Sequence, residues 1–228
     1  MTSGLLRHYK MDQLILKFPF SKKYYQQDFY VSSNNFSAFR LIESWPVWPG
    51  KWLNIFGAPG SGKTHLANIL EKKIKKIRLV EAKKINNNLI QDLHSLDCLI
   101  IDNFDNNIEE KLLYSILNQS KQYENYVLIN STFSINNVKF DLEDLRSRIN
   151  SFLRIGIELP TDDLLKVIIS KTLSEKQITI NPKISDFIIK NVERSYEKMF
   201  KFLKDVDELS LSTGKSININ LIKKALNQ

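Results

Sequence analysis

Along the middle of the chain, short apolar runs alternate with stretches in which apolar residues return every three or four positions. The runs at 52–56, 77–80, 98–101, 126–129 and 154–158 are too short for helices and predict strands, while the helical period predicts helices over 63–75, 88–93, 108–123 and 142–150. Strands separated by crossover helices are the signature of a parallel sheet with both faces covered. From Thr161 onward the strand runs cease. Thr161 or Asp162 can cap a helix over 163–175, Pro182 opens another over 183–192, and two more follow over 196–212 and 218–226. The expected architecture is therefore an α/β core with a five-stranded parallel sheet, followed by a small all-α unit. Upstream, Phe36, Phe39, Leu41 and Ile42 predict a helix over 36–44, stopped by Pro46 and Pro49. The polar and aromatic stretch before Asn35 has no helical period and reads as an extended arm.

Composition narrows the chemistry more than the fold. A chain of 228 residues with 43% hydrophobic and 25% charged positions can bury a real core. Its one cysteine, Cys98, rules out an internal disulfide and a cysteine-based metal cluster, and His8, His65 and His94 are scattered. No internal repeat and no apolar run long enough for a membrane span or a signal peptide is present, which makes the cytoplasm the expected compartment. The net charge of +8 admits an anionic partner, but Lys, Asn and Ile are over-used throughout, as in Asn86-Asn87-Asn88. That dispersal favours a lysine-rich solvated surface.

The motif with the most chemistry is Gly57-Ala58-Pro59-Gly60-Ser61-Gly62-Lys63-Thr64, which fills every position of G-x-x-x-x-G-K-[ST] between a predicted strand and a predicted helix. Glycines let the backbone wrap phosphates so that successive N–H groups and the helix N-terminus face the anion. Lys63 can then reach the β- and γ-phosphates, and the Thr64 hydroxyl can ligate Mg2+. ATP or ADP with Mg2+ is the implied cofactor. Asp102 ends the apolar run 98–101, where a carboxylate can hold the metal through water. The next residue is Asn103, which cannot take a proton, so intrinsic hydrolysis should be weak or absent; Glu109 or Glu110 could substitute only if the following loop folds back. Asn130, Ser131 and Thr132 end the fourth strand, where they either touch the γ-phosphate or merely cap the strand. Arg146 and Arg148 lie on the helix before the last strand, either as a solvated face or as an arginine finger for a neighbour's nucleotide.

In this order and spacing, with a helical lid behind them, these elements resemble the AAA+ ATPases, and within them the proteins related to the replication initiator DnaA. Asp28-Phe29-Tyr30-Val31 with Ser32-Ser33-Asn34 is similar to the opening box of DnaA, which implies that Phe29 and Val31 flank the adenine. Gly62-Lys63-Thr64-His65-Leu66 follows the DnaA phosphate-loop pattern and brings His65 to the nucleotide. The resemblance runs from about Asp28 to the C-terminus. DnaA itself continues past its lid into a helix-turn-helix domain that reads DNA; the expectation here is that none follows.

Three features resemble the Hda-like branch, which inactivates the initiator: Asp102-Asn103 in place of an acidic pair, the linker Trp45-Pro46-Val47-Trp48-Pro49, and Gln13-Leu14-Ile15-Leu16-Lys17-Phe18 in the arm. The hexapeptide is similar to the peptides that bind the sliding clamp, with Gln13 at the groove rim and Leu14, Leu16 and Phe18 in apolar pockets. Its other reading is an edge strand packed on the chain's own core. The resemblance also implies that Arg148 is the finger. The lid arginine of the second sensor does not carry over: Glu197 stands in its place, and either Arg194 one turn earlier reaches the phosphates instead or that contact is absent. The division expected is an arm over 1–27, a nucleotide-binding unit over 28–160 and a lid over 161–228. The implied partners are DnaA and the clamp, with DNA reached through the clamp, no membrane, and self-association left open. The alternatives are a helicase-loader or truncated-initiator type of ATPase acting on DNA, or a tethering adaptor in which nucleotide only stabilises the fold.

Overall fold

The structure, a computed structural model, describes residues 29–176 and 178–226. Five strands, Trp52–Gly57 (β1), Ile77–Glu81 (β2), Cys98–Phe104 (β3), Tyr126–Ser131 (β4) and Leu153–Ile157 (β5), form one parallel sheet in the order β2-β3-β4-β1-β5. Period-two alternation divides the strand side chains between two cores. Leu99 and Ile101 face Leu113, Ile116 and Leu117 of Glu110–Gln122 (α4) and Leu145 and Ile149 of Glu143–Asn150 (α5). Cys98 and Ile100 face Leu66, Ile69 and Leu70 of Lys63–Lys73 (α2) and Ile42 of Phe36–Glu43 (α1). Burial on both faces is why these strands read as unbroken apolar runs. It also pushes the Cys98 thiol well above its ordinary pKa, with Asp97 adding to the effect, so this cysteine is a core residue.

A short helix, Asn88–Asp92 (α3), covers the β2–β3 crossover. The chain then leaves the sheet for four helices, Asp162–Ser174 (α6), Pro182–Asn191 (α7), Tyr196–Thr213 (α8) and Ile219–Leu226 (α9). They enclose a third core around Leu165, Ile169, Ile188, Met199, Leu203 and Ile222. Local chemistry sets their starts: the Thr161 hydroxyl accepts from the Leu164 N–H at 3.3 Å, Asn181 accepts from Lys183 with Pro182 in the first turn, and Ser195 accepts from Lys198. Of the two caps the sequence allows, Thr161 is the one used.

The strand carrying Asp102 departs from simple pattern. β3 runs on to Phe104 through a register shift between Ile101 and Phe104, with Asn103 at φ 55°. Asparagine is among the few residues that adopt this left-handed geometry without a large penalty. Three short 3-10 turns, Ala82–Lys84, Leu93–Ser95 and Ile135–Asn137, carry too few residues for any periodicity to announce them. The loop after α1 packs Trp45 and Trp48 on Tyr126 at centroid distances of 4.3 and 5.6 Å. Among the described residues no helix is long and apolar enough to cross a membrane.

Candidate nucleotide-binding site

The loop between β1 and α2 lies at the carboxyl edge of the sheet, where open α/β folds bind ligands. Two of its glycines are required by backbone and space together. Gly60 sits at φ +80°, and a Cβ there would lie 3.0 Å from Tyr196 Cβ of α8; Gly62, at φ +98°, would meet Phe29 at 2.9 Å. The loop is thus pressed between the lid and the segment before α1. Lys63 is buried, and its ammonium donates to Gly57 O at 2.7 Å, Ala58 O at 3.0 Å and Ser61 Oγ at 3.4 Å. Burial pushes its pKa below the ordinary value, and the Asp102 carboxylate pulls it partly back.

Asp102 closes a polar triangle under this loop. Thr64 Oγ1 donates to Asp102 Oδ2 at 2.8 Å, and Asn130 Nδ2 donates to Asp102 Oδ1 at 2.9 Å and to Lys63 O at 3.1 Å. Three elements, β3, β4 and α2, therefore fix one carboxylate that is 3% exposed. Asn130 is fully buried and its Oδ1 has no hydrogen-bond partner, so its amide serves the triangle, while Ser131 and Thr132 line the open side. Asn54 on β1 holds Ser131 from behind by donating to its Oγ at 2.9 Å.

Between the loop and the lid lies a cavity of about 930 Å³. Pro59, Gly60, Gly62, Lys63, Thr64 and His65 form its floor, while Gly57 and Ser61 are buried and do not line it. Asn103 and Asp105 form one side. Of the acids weighed from sequence beyond Asn103, Glu110 is spent elsewhere: its carboxylate accepts from the N–H groups of Asp141 and Leu142 ahead of α5. The roof is the lid: Thr172 of α6 with Glu175 just past its end, and Glu197, Phe200 and Lys204 of α8. Sequence reasoning passed over Lys204, Phe200 and Thr172, although 197, 200 and 204 share one helical face and could have been grouped by that spacing.

The remaining predicted residues fall outside the cavity wall. Phe29 stacks on Phe39 at 5.6 Å and meets His65 edge-on at 5.3 Å, and Val31 is half-buried. Arg194 pairs with Asp162 of α6 at 3.0 Å. Arg148 is half-buried on α5, where Nη2 donates to Asn118 Oδ1 of α4 at 2.9 Å while its buried Nε has no acceptor. Arg146 is exposed. Gln13, Leu14, Leu16 and Phe18 lie outside the described residues.

A phosphate loop joining strand to helix, a parallel five-stranded sheet of this order and a helical lid above the loop define the AAA+ P-loop NTPase fold. Within that class the chain is similar to DnaA. The chromosomal replication initiator protein DnaA of Methylobacillus flagellatus is 24% identical over 197 residues, covering 76% of this chain and 42% of the relative, so the match spans less than half of that protein. Domain III of the Thermotoga maritima initiator DnaA superposes with a TM-score of 0.74 at 17% identity over 92% of this chain and 98% of that one. AMPPCP-bound DnaA from Aquifex aeolicus gives a TM-score of 0.67 at 19% identity over 85% and 68% of the two chains. No protein-family model matches the sequence.

Proposed function

We propose that this chain is a DnaA-related regulator. It binds adenine nucleotide between the phosphate loop and the lid and presents Arg148 to the ATP of DnaA, raising hydrolysis in trans. The loop, the Thr64–Asp102–Asn130 triangle and the AMPPCP-bound relative support the nucleotide half of this reading. Thr64 and Asp102 are hard oxygen donors suited to Mg2+, which would supply charge neutralisation at the phosphates. Among the described residues no three His, Cys, Asp or Glu side chains converge, so most ligands of such an ion would be phosphate and water. Lys63 would exchange loop carbonyls for phosphate oxygens, and the lid would exclude water. Asn103, whose amide cannot accept a proton from water, leaves the chain's own hydrolysis weak. The arm over 1–27 would tether the molecule to the sliding clamp through Gln13, Leu14, Leu16 and Phe18, ahead of a nucleotide unit over 28–160 and a lid over 161–228.

The observation that carries the trans reading is the contrast between two arginines. Arg194 is neutralised by Asp162, whereas no ion pair among the described residues engages Arg148. A half-buried guanidinium held by a single neutral bond keeps its charge for an oxyanion brought by a partner. An arginine finger is worth about 10³–10⁵ in rate through charge stabilisation at the γ-phosphate. The test is phosphate release from ATP-loaded DnaA, with clamp on DNA. Arg148→Ala should abolish stimulation while keeping the fold and the chain's own nucleotide, and Arg146→Ala should matter less. Stimulation by Arg148→Ala equal to wild type would remove the finger and leave the tethering adaptor as the better reading.

A further inference from the structure

The environment of Arg148 carries a consequence for a residue on a different helix. Its partner, Asn118, is half-buried on α4, about one turn before the C-terminal end of that helix. The contact is a single hydrogen bond of 2.9 Å to an amide oxygen. An amide fixes the rotamer of a guanidinium without cancelling its charge, whereas a carboxylate at the same point would form a charge-assisted pair that an incoming phosphate would have to displace. The α4–α5 contact is anchored independently at its far end, where Glu110 of α4 holds the N–H groups of Asp141 and Leu142. Asn118 is thus not needed to dock α5, and what remains for it is the direction of one side chain.

We infer that Asn118 is the positioning residue for Arg148: it holds the guanidinium in place through a neutral contact and leaves the charge free for a phosphate from outside the chain. The inference rests on the finger reading for its use, but the contact itself can be tested without it. In the full chain, Asn118→Asp should raise the melting temperature by about 2 °C or more, since an ion pair replaces a neutral bond. The gain should fall at high salt and disappear in Asn118→Asp with Arg148→Ala. Equal shifts with and without Arg148 would overturn the inference, whatever the function.

The second measurement is the rate of ATP hydrolysis by DnaA against the concentration of this protein. Asn118→Asp and Asn118→Leu should each lower the maximal rate at least tenfold at an unchanged half-saturating concentration, the first by neutralising Arg148 and the second by releasing it. A mere loss of folded protein would shift the half-saturating concentration instead. If Arg148→Ala abolishes stimulation and Asn118→Asp does not reduce it, the finger stands and the positioning role is overturned. If Arg148→Ala leaves stimulation intact, the finger reading fails, and the thermal cycle alone decides whether Asn118 holds an unspent charge.

Discussion

Lys63 spends its three N–H donors on its own loop, so nucleotide has to offer better acceptors than two carbonyls and a hydroxyl. Phosphate oxygens do, because they add full charge to the hydrogen bond and offset the burial that depresses the lysine. Ligand that binds only the folded state stabilises it by about 2.7 kcal/mol at a hundredfold excess over Kd. ADP or ATP should therefore raise the melting temperature of the wild type and do so much less in Lys63→Ala; equal shifts would rule out the loop as the binding site. Asp102 allows a finer separation of fold from metal. In Asp102→Asn the Thr64 hydroxyl can reverse and accept, so the triangle survives and stability should change little, while the Mg2+-dependent part of the nucleotide shift is lost. Asp102→Leu leaves the Thr64 hydroxyl and the Asn130 amide without this acceptor and should cost about 1–3 kcal/mol by denaturant melting. The motif made Lys63 and Thr64 legible, and the apolar run 98–101 pointed separately to Asp102 at its end. Nothing in it marked Asn130 as the residue that orients the carboxylate, since a buried asparagine and a strand cap look alike in one dimension.

At the scale of elements, α8 links the lid to the rest of the molecule. Its first residue, Tyr196, packs on Gly60, and its hydroxyl accepts from Asn34 Nδ2 at 2.7 Å and donates to Glu158 O at 3.4 Å. Asn34 also donates to Leu159 O at 3.1 Å, so the segment before α1, the exit of β5 and the lid meet at one buried amide. Burial pushes the Tyr196 pKa up to about 12 from an ordinary 10.0, an effect that the Asn34 bond partly offsets. Because the folded state holds the proton more tightly, this contribution to stability is fully present below about pH 10 and is lost as pH rises toward 12. Tyr196→Phe should cost about 0.5–1.5 kcal/mol at neutral pH. Denaturant melts from pH 8 to 12 should show the gap between wild type and variant closing across that window; a constant gap would mean the hydroxyl is not the titrating contact. The helix itself was predictable from its period and its Ser195 cap. Its contact with Gly60 was not, because residues so distant in sequence meet only when the lid folds back.

At the scale of the whole molecule, the proposed regulator would join a nucleotide-binding body to a tether in the arm. Gln13→Ala with Leu14→Ala removes one polar and one apolar anchor of the clamp peptide without touching the described core. The double variant should keep its melting temperature and its nucleotide shift while losing retention in a pull-down with purified clamp; unchanged retention would put the tether elsewhere. Period and punctuation determined the alternation of strands and helices and the four lid helices, and one motif determined the phosphate loop. Hydrophobic periodicity is set within a few residues, and β1 and α2 follow it without conflict. Only the tertiary structure decided which polar groups are committed and which are free. Arg194 and Arg148 are both arginines in helical surroundings, yet one finds Asp162 and the other only Asn118. Likewise Glu110 is committed to the entry of α5, and Lys204 is brought over the loop. The physical reason is that charge and hydrogen-bond pairing depend on distances between segments far apart in the chain, which hydrophobic periodicity does not encode.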